Sequence, residues 1–182
     1  SSSNRDDSLS LINVTIANNA GDAIEIVADT STVLLEYENT IFADDGSGNG
    51  NGRERIVARG NNLAGLTIRS LGHNLLEETP TGDAAHDAAV GDLRDVDALL
   101  LPLADNGGPT PTHALLVGSP AIDAGNSTLA TDQRGVGRPA DLVLFNDALS
   151  GNGSDIGAFE SYDTGLALPG DYNLDGRVDA AD

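Results

Sequence analysis

The residues best spaced for chemistry lie near the end of the chain, in Gly170-Asp171-Tyr172-Asn173-Leu174-Asp175-Gly176-Arg177-Val178-Asp179-Ala180-Ala181-Asp182. Counting Asp171 as position one, oxygen-bearing side chains fall at positions one, three, five, nine and twelve, which are Asp171, Asn173, Asp175, Asp179 and Asp182. Hard cations take about six to eight oxygens, and a tight loop supplies them from alternate side chains and one backbone carbonyl. The Arg177 carbonyl would be that backbone ligand, and Gly176 supplies the sharp turn. The spacing therefore predicts calcium as the bound ion.

A second group of charged residues, Asp132, Arg134, Arg138, Asp155 and Glu160, lies in a Gly- and Pro-rich stretch over residues 106 to 160. Two chemistries compete for it. Hydrolysis of a glycoside needs a carboxylate pair about 5 to 9.5 Å apart. Lyase chemistry needs a Ca²⁺ site with a base to take a proton beside a uronate carboxylate. Asp123, Asp132, Asp155 and Glu160 are the available carboxylates, and Arg134 and Arg138 could bind an acidic sugar. Against this, Arg paired with Asp is a common way to satisfy charges where hydrophobic residues are few. Aromatic residues make up 3% of the chain and Trp is absent, which leaves little to stack on a sugar ring. The structural reading is preferred, and it predicts Arg134 and Arg138 paired with Asp155, Glu160 or backbone carbonyls. The enzymatic reading predicts a groove holding a close carboxylate pair, or Ca²⁺ beside an unpaired basic residue. His86 beside Asp87 reads as a lone exposed histidine rather than a ligand pair. Asp44 to Arg53, DDGSGNGNGR, could hold Ca²⁺ but reads first as a flexible turn.

The formal net charge is −20, from 29 acidic and 9 basic residues in a chain of 182. Such a field repels phosphate backbones and anionic membrane surfaces, so no nucleic acid partner is expected. No apolar run approaches the roughly 18 residues of a membrane span, so no membrane insertion is expected in this segment. There is no Cys, which excludes disulfides and thiolate metal sites. The absence of Met, the polar start and the stop inside a motif suggest a piece of a longer protein.

The elements that must position these residues read as short strands. Leu11, Val14 and Ile16 alternate with polar or small residues before a turn at residues 17 to 22, and runs at 23–27 and 32–37 follow. Asn13-Val14-Thr15-Ile16-Ala17-Asn18-Asn19 then aligns with Asn39-Thr40-Ile41-Phe42-Ala43-Asp44-Asp45, at a sequence offset of 26. Leu66-Thr67-Ile68 reads as a weaker third copy, with Ile68 following Ile41 at an offset of 27. That period fits a coil of three strands and three turns, stacked into an all-β solenoid. Asn13 and Asn39 should then lie one above the other and share side-chain hydrogen bonds, as in Asn ladders. Residues 84 to 90 could form a helical turn. His113 to Val117 reads as a short buried strand, and Ser119 to Gly125 as a turn with Ile122 pointing inward.

NGGPTPTHALLVGSPAIDAG, then TDQRGVGRP, then DIGAFE, together with NVTIANN, NTIFADD and GHNLL upstream, resemble the C-terminal part of choice-of-anchor Q proteins over residues 9 to 160. The DLVLFNDALSGNGS insert before Asp155 departs from that pattern. The resemblance implies a right-handed parallel β-helix of the pectin-lyase type, exported to the bacterial surface or secreted, with an anchoring segment that varies between members. Residues 1–160 would be C-terminal coils and an irregular closing segment, 161–169 a linker, and 170–182 a short EF-hand-like tail. Asp182 in place of Glu at position twelve departs from the EF-hand pattern. The tail instead resembles the first, truncated calcium loop of a type I dockerin, which implies a cohesin-like protein as partner, met through Ala180 and Ala181. The function expected is a non-catalytic extracellular scaffold for adhesion or contact with a polysaccharide. The alternative is the end of a β-helical polysaccharide lyase or glycoside hydrolase whose active site lies upstream.

Overall fold

The computed structural model describes residues 6–19, 22–29, 31–43, 56–142 and 145–162. Among them the protein is all-β. Its nine strands are β1 Asp6–Ile12, β2 Thr15–Ala17, β3 Ile24–Val27, β4 Thr32–Glu38, β5 Ile41–Ala43, β6 Ile56–Arg59, β7 Leu66–Gly72, β8 Leu75–Leu76 and β9 Leu93–Arg94. Among the described residues helix is confined to two short 3-10 turns, Leu63–Gly65 and Gly82–Ala84. No helix among the described residues is long and apolar enough to cross a membrane.

The strands form three parallel sheets, ordered β1-β4-β7, β2-β5-β8-β9 and β3-β6. From β1 to β8 successive strands thus enter the three sheets in rotation, and β9 then adds to the second sheet beside β8. Asp6 lies opposite Thr32 and Ile16 opposite Phe42, the offset of 26 read from the Asn-led repeat. The third copy is a different segment from the one expected. Leu66, Thr67 and Ile68 pair with Val33, Leu34 and Leu35 in the first sheet, whereas Ile41 pairs with Leu75. The offset has grown to 34 at that point, in three steps. Ile24 pairs with Ile56 at an offset of 32, with the Gly-rich stretch of the sequence lying between them. The connection through the first 3-10 turn brings it to 33 where Val33 meets Leu66, and a bulge in β7 after Ser70 supplies the last step. The coils do not close into a complete solenoid among the described residues. The third sheet stops at two strands, because Pro80 and the positive φ of Gly82 (64°) turn the next segment into a 3-10 turn that packs on β6.

Period-two alternation divides the strands into two faces. Ile26, Leu35, Tyr37, Phe42, Ile56, Leu76 and Ala84 form one core, to which all three sheets contribute. In the first and third sheets the other face meets solvent and carries cross-strand ion pairs, Arg69 with Glu36 and Arg59 with Glu25. In the second sheet the central strands β5 and β8 are buried on both faces, which is why they read as unbroken apolar runs. Ile41, Ala43 and Leu75 point away from the first core into a second one, with Ala98, Leu115, Ala121, Ile122, Ala124, Leu142 and Ile156.

That second core places the closing segment. Its described residues pack on the flank of the second sheet from β9, whose Leu93 touches this core, back to β2, where Ala158 N–H donates to Oγ1 of Thr15. Among the described residues their sheet pairing is limited to isolated antiparallel bridges: Leu100 with Leu115, Ala104 with Thr112, Gly125 with Ser154 and Thr131 with Gly137. The strand expected at His113 to Val117 is reduced to the bridge at Leu115, with Leu116 and Val117 exposed. The turn at Ser119 to Gly125 is present, with Ile122 buried. The helical turn expected over 84–90 is displaced to Gly82–Ala84.

Candidate functional site

The site is built on a column of corners between the first two sheets. Asn13, Asn39, His73 and Gly91 occupy equivalent corners and all have positive φ, at 55°, 51°, 53° and 80°. Asn tolerates this region because its short amide bonds locally, and Gly because it lacks a Cβ. At Gly91 a Cβ would stand 2.5 Å from Nδ1 of His73. The Asn39 amide donates to Oδ1 of Asn13 at 2.6 Å, the expected ladder bond. One residue on, the backbone N–H of Thr40 donates to Oδ1 of Asn74, and that of Asn74 to Oδ1 of Asp92.

The closing segment docks on this column. The Asn39 amide also donates to the Asp155 carbonyl (3.0 Å), and its Oδ1 accepts from the N–H of Asn126 (3.0 Å). Gly157 N–H donates to the Asn39 carbonyl, Asn13 donates to the Ser127 hydroxyl, and Nδ1 of His73 lies 2.9 Å from the Ala124 carbonyl oxygen. Gly157 fits because it has no side chain. With φ at 97°, a Cβ there would lie 2.6 Å from Oγ1 of Thr15 and 2.8 Å from Cδ1 of Ile41.

The charged residues singled out in the sequence meet inside the closing segment. Arg138 is buried, donates to the carbonyls of Asp155 (3.0 Å) and Gly157 (2.6 Å), and stands 3.4 Å from Oε2 of Glu160. Arg134 pairs with Asp132 at 2.7 Å, donates to the Glu160 carbonyl, and stacks 3.5 Å over the Phe159 ring. The expected pairing of both arginines therefore holds, with Asp132 as the carboxylate on Arg134. The Asp155 carboxylate is satisfied instead by the N–H groups of Asp123 (2.9 Å) and Ser161 (2.5 Å). Glu160 accepts from Ala140 and Asp155, and Asp123 from Leu142 through Oδ2. Oδ1 of Asp123 is buried without a hydrogen-bond partner.

Burial sets the electrostatics. It pushes Asp123 up to about 6 and Glu160 up to about 7, and the Asp155 charge adds to both. Burial raises Asp155 as well. Asp132 goes the other way: burial pushes it up, but hydrogen bonds from Glu160, Arg134 and Val136 win and hold it low. Asp123, Asp155 and Glu160 have no solvent exposure, so a glycan cannot reach them.

No known protein family, curated protein or solved structure matches the chain. Its chemistry is therefore read from its own residues. The predicted calcium ligands Asp171, Asn173, Asp175, Arg177, Asp179 and Asp182 lie outside the described residues, as does the Gly-rich loop from Asp44 to Arg53. Among the described residues, no group of three His, Asp or Glu is arranged to hold a metal ion. His86 departs from the expectation of an exposed ring. It is half-buried, meets Tyr37 edge-on at 5.6 Å between centroids, and its Nε2 contacts the Tyr37 hydroxyl. Burial lowers its pKa. Tyr37 and His86 lie far apart in the chain, so no spacing rule could have paired them.

Proposed function

We propose that residues 1–160 are terminal coils and an irregular closing segment of a right-handed parallel β-helix, an exported bacterial surface or secreted protein. It acts as a non-catalytic scaffold for adhesion or carbohydrate contact. Residues 170–182 are its calcium-dependent, dockerin-like anchor for a cohesin-like protein. The observation that carries the reading is the rotation of successive strands through three parallel sheets, with matched corners in one column. Right-handedness follows from the rule that parallel crossovers take that hand in about 98% of cases.

Two features support further coils before β1. In each sheet the outer edge of β1, β2 or β3 pairs with no strand among the described residues. Beside that edge a groove of about 260 Å³ opens onto apolar Leu9, Ile24, Ile26, Val33 and Leu35, with Asp7 and Glu25 also lining it. A preceding rung would cover both the edge and the groove. The buried carboxylates favour the scaffold over the lyase or hydrolase reading, since their lone pairs serve backbone N–H groups.

The anchor is tested by calorimetric titration of Ca²⁺ into the chain extended through a second loop of the same kind. Binding heat that Asp175→Ala weakens is expected. A silent titration of the extended chain would sink the anchor.

A further inference from the structure

The charges buried in the flank do not balance. Asp123, Asp132, Asp155 and Glu160 are carboxylates with 0 to 8% exposure, and Arg134 and Arg138 are the guanidinium groups among them. Four potential negative charges face two positive ones. Asp132 is matched by Arg134 and three N–H groups. Arg138 stands 3.4 Å from Glu160 and shares its donors with two carbonyls. Asp123 has one N–H donor and a bare buried oxygen, and the exposed Asp141 and Asp147 add to the negative field around it. From the coil side, the titratable groups facing the closing segment are His73, held at the Ala124 carbonyl, and Glu77, which accepts from the Ala98 N–H.

Either a cation or protons must offset the excess. The described residues hold no metal-binding group of three His, Asp or Glu, which favours protons. We propose that this cluster is a proton-operated clasp: Asp123 and Glu160 each take up a proton on mild acidification, and the uptake tightens the closing segment onto the second sheet. The geometry makes the link direct. The Asp123 carbonyl accepts from Ala148 and its carboxylate from Leu142, while Glu160 joins Ala140 to Asp155. Ionising both sets them against Asp155 in a dry interior, where like charges repel strongly.

The sign follows from the raised values. A carboxyl pushed up to about 6 (Asp123) or about 7 (Glu160) contributes stability that is complete below its unfolded value near pH 4, and lost as pH rises through 6 and 7. Asp132, held low, loses its contribution only as the pH falls below the ordinary carboxylate range. The clasp is therefore tightest at mildly acidic pH.

With a net charge of −20, acid would stabilise the chain somewhat in any case, so the test must be local. Carboxyl-carbon NMR of the full chain should show Asp123 and Glu160 titrating near pH 6 and 7. The melting midpoint should be higher at pH 5.5 than at pH 8. Asp123→Asn should shrink that difference, while the exposed Asp83→Asn leaves it. Two outcomes overturn the clasp: both carboxyls titrating near pH 4, or a pH difference unchanged in Asp123→Asn. It also falls if Ca²⁺ restores the midpoint at pH 8, with Asp123→Asn abolishing the rescue and Asp175→Ala leaving it intact. Should Asp123→Asn not fold, the NMR titration of the unchanged chain decides alone.

Discussion

The coils and the closing segment solve one problem in opposite ways. Both must satisfy backbone N–H and C=O groups while burying apolar surface. In the coils the backbone pairs with itself, strand on strand in register, and side chains are needed only at the corners. In the closing segment, bridges are isolated and buried charged side chains take over. Arg138 serves two carbonyls and Arg134 one, while Asp123, Asp132, Asp155 and Glu160 accept backbone N–H groups of residues between Asp123 and Ser161. The difference teaches where stability concentrates. A coil spreads it over many equivalent bonds, whereas the flank rests on a few residues whose loss leaves several partners unsatisfied.

That contrast can be broken at four places. Arg138→Ala should have the largest effect, about 3 to 5 kcal/mol in urea unfolding, because it strands the buried Glu160 and takes the side-chain donor from the Gly157 carbonyl, while the Asp155 carbonyl keeps the Asn39 amide. A loss below about 1 kcal/mol would mean the flank does not depend on this side chain. Asn39→Ala should come next, at about 2 to 4 kcal/mol, combining lost buried hydrogen bonds with a left-handed corner that Ala resists. Asn39→Gly, which keeps the corner geometry, should cost about 1 kcal/mol less than Asn39→Ala, and equal losses would assign the whole effect to the amide. Asp123→Asn should stabilise the chain at pH 8 by on the order of 1 kcal/mol and do little at pH 5. The same substitution destabilising at both pH values would reverse the sign argued for the buried carboxyl. Arg69→Ala, on the wet face of the first sheet, should change stability by less than about 1 kcal/mol, since its direct pair with Glu36 is open to solvent.

The coil register was legible where a local requirement repeats. A left-handed corner calls for Asn, so Asn13 and Asn39 mark the same place in two rungs, and the structure joins them by a side-chain bond at the offset of 26. The third rung hid because His73 replaces Asn at the corner, and because the Gly-rich loop and the β7 bulge stretch the period. Gly72-His73-Asn74-Leu75-Leu76 was the signal: a polar corner pair leading into two apolar residues, as in Asn39-Thr40-Ile41-Phe42. In the closing segment the residue types were informative and their placement was not. Asp, Arg and Glu at 132, 134, 138, 155 and 160 announced a network. Nothing in their spacing put it against Asn39, because the contact from Asn39 to Asp155 spans most of the chain with no period to follow. The bare oxygen of Asp123 had no sequence signal at all, since it depends on what the fold leaves beside it.

Hydrogen exchange on the full chain, with and without Arg138→Ala, tests the division between a self-paired coil and a charge-held flank most directly. Loss of protection at Gly125, Ile156 and Gly157, with the amides of β4, β5 and β7 still protected, is the result expected. Uniform loss across coils and flank, or unchanged protection at Ile156 and Gly157, would contradict it.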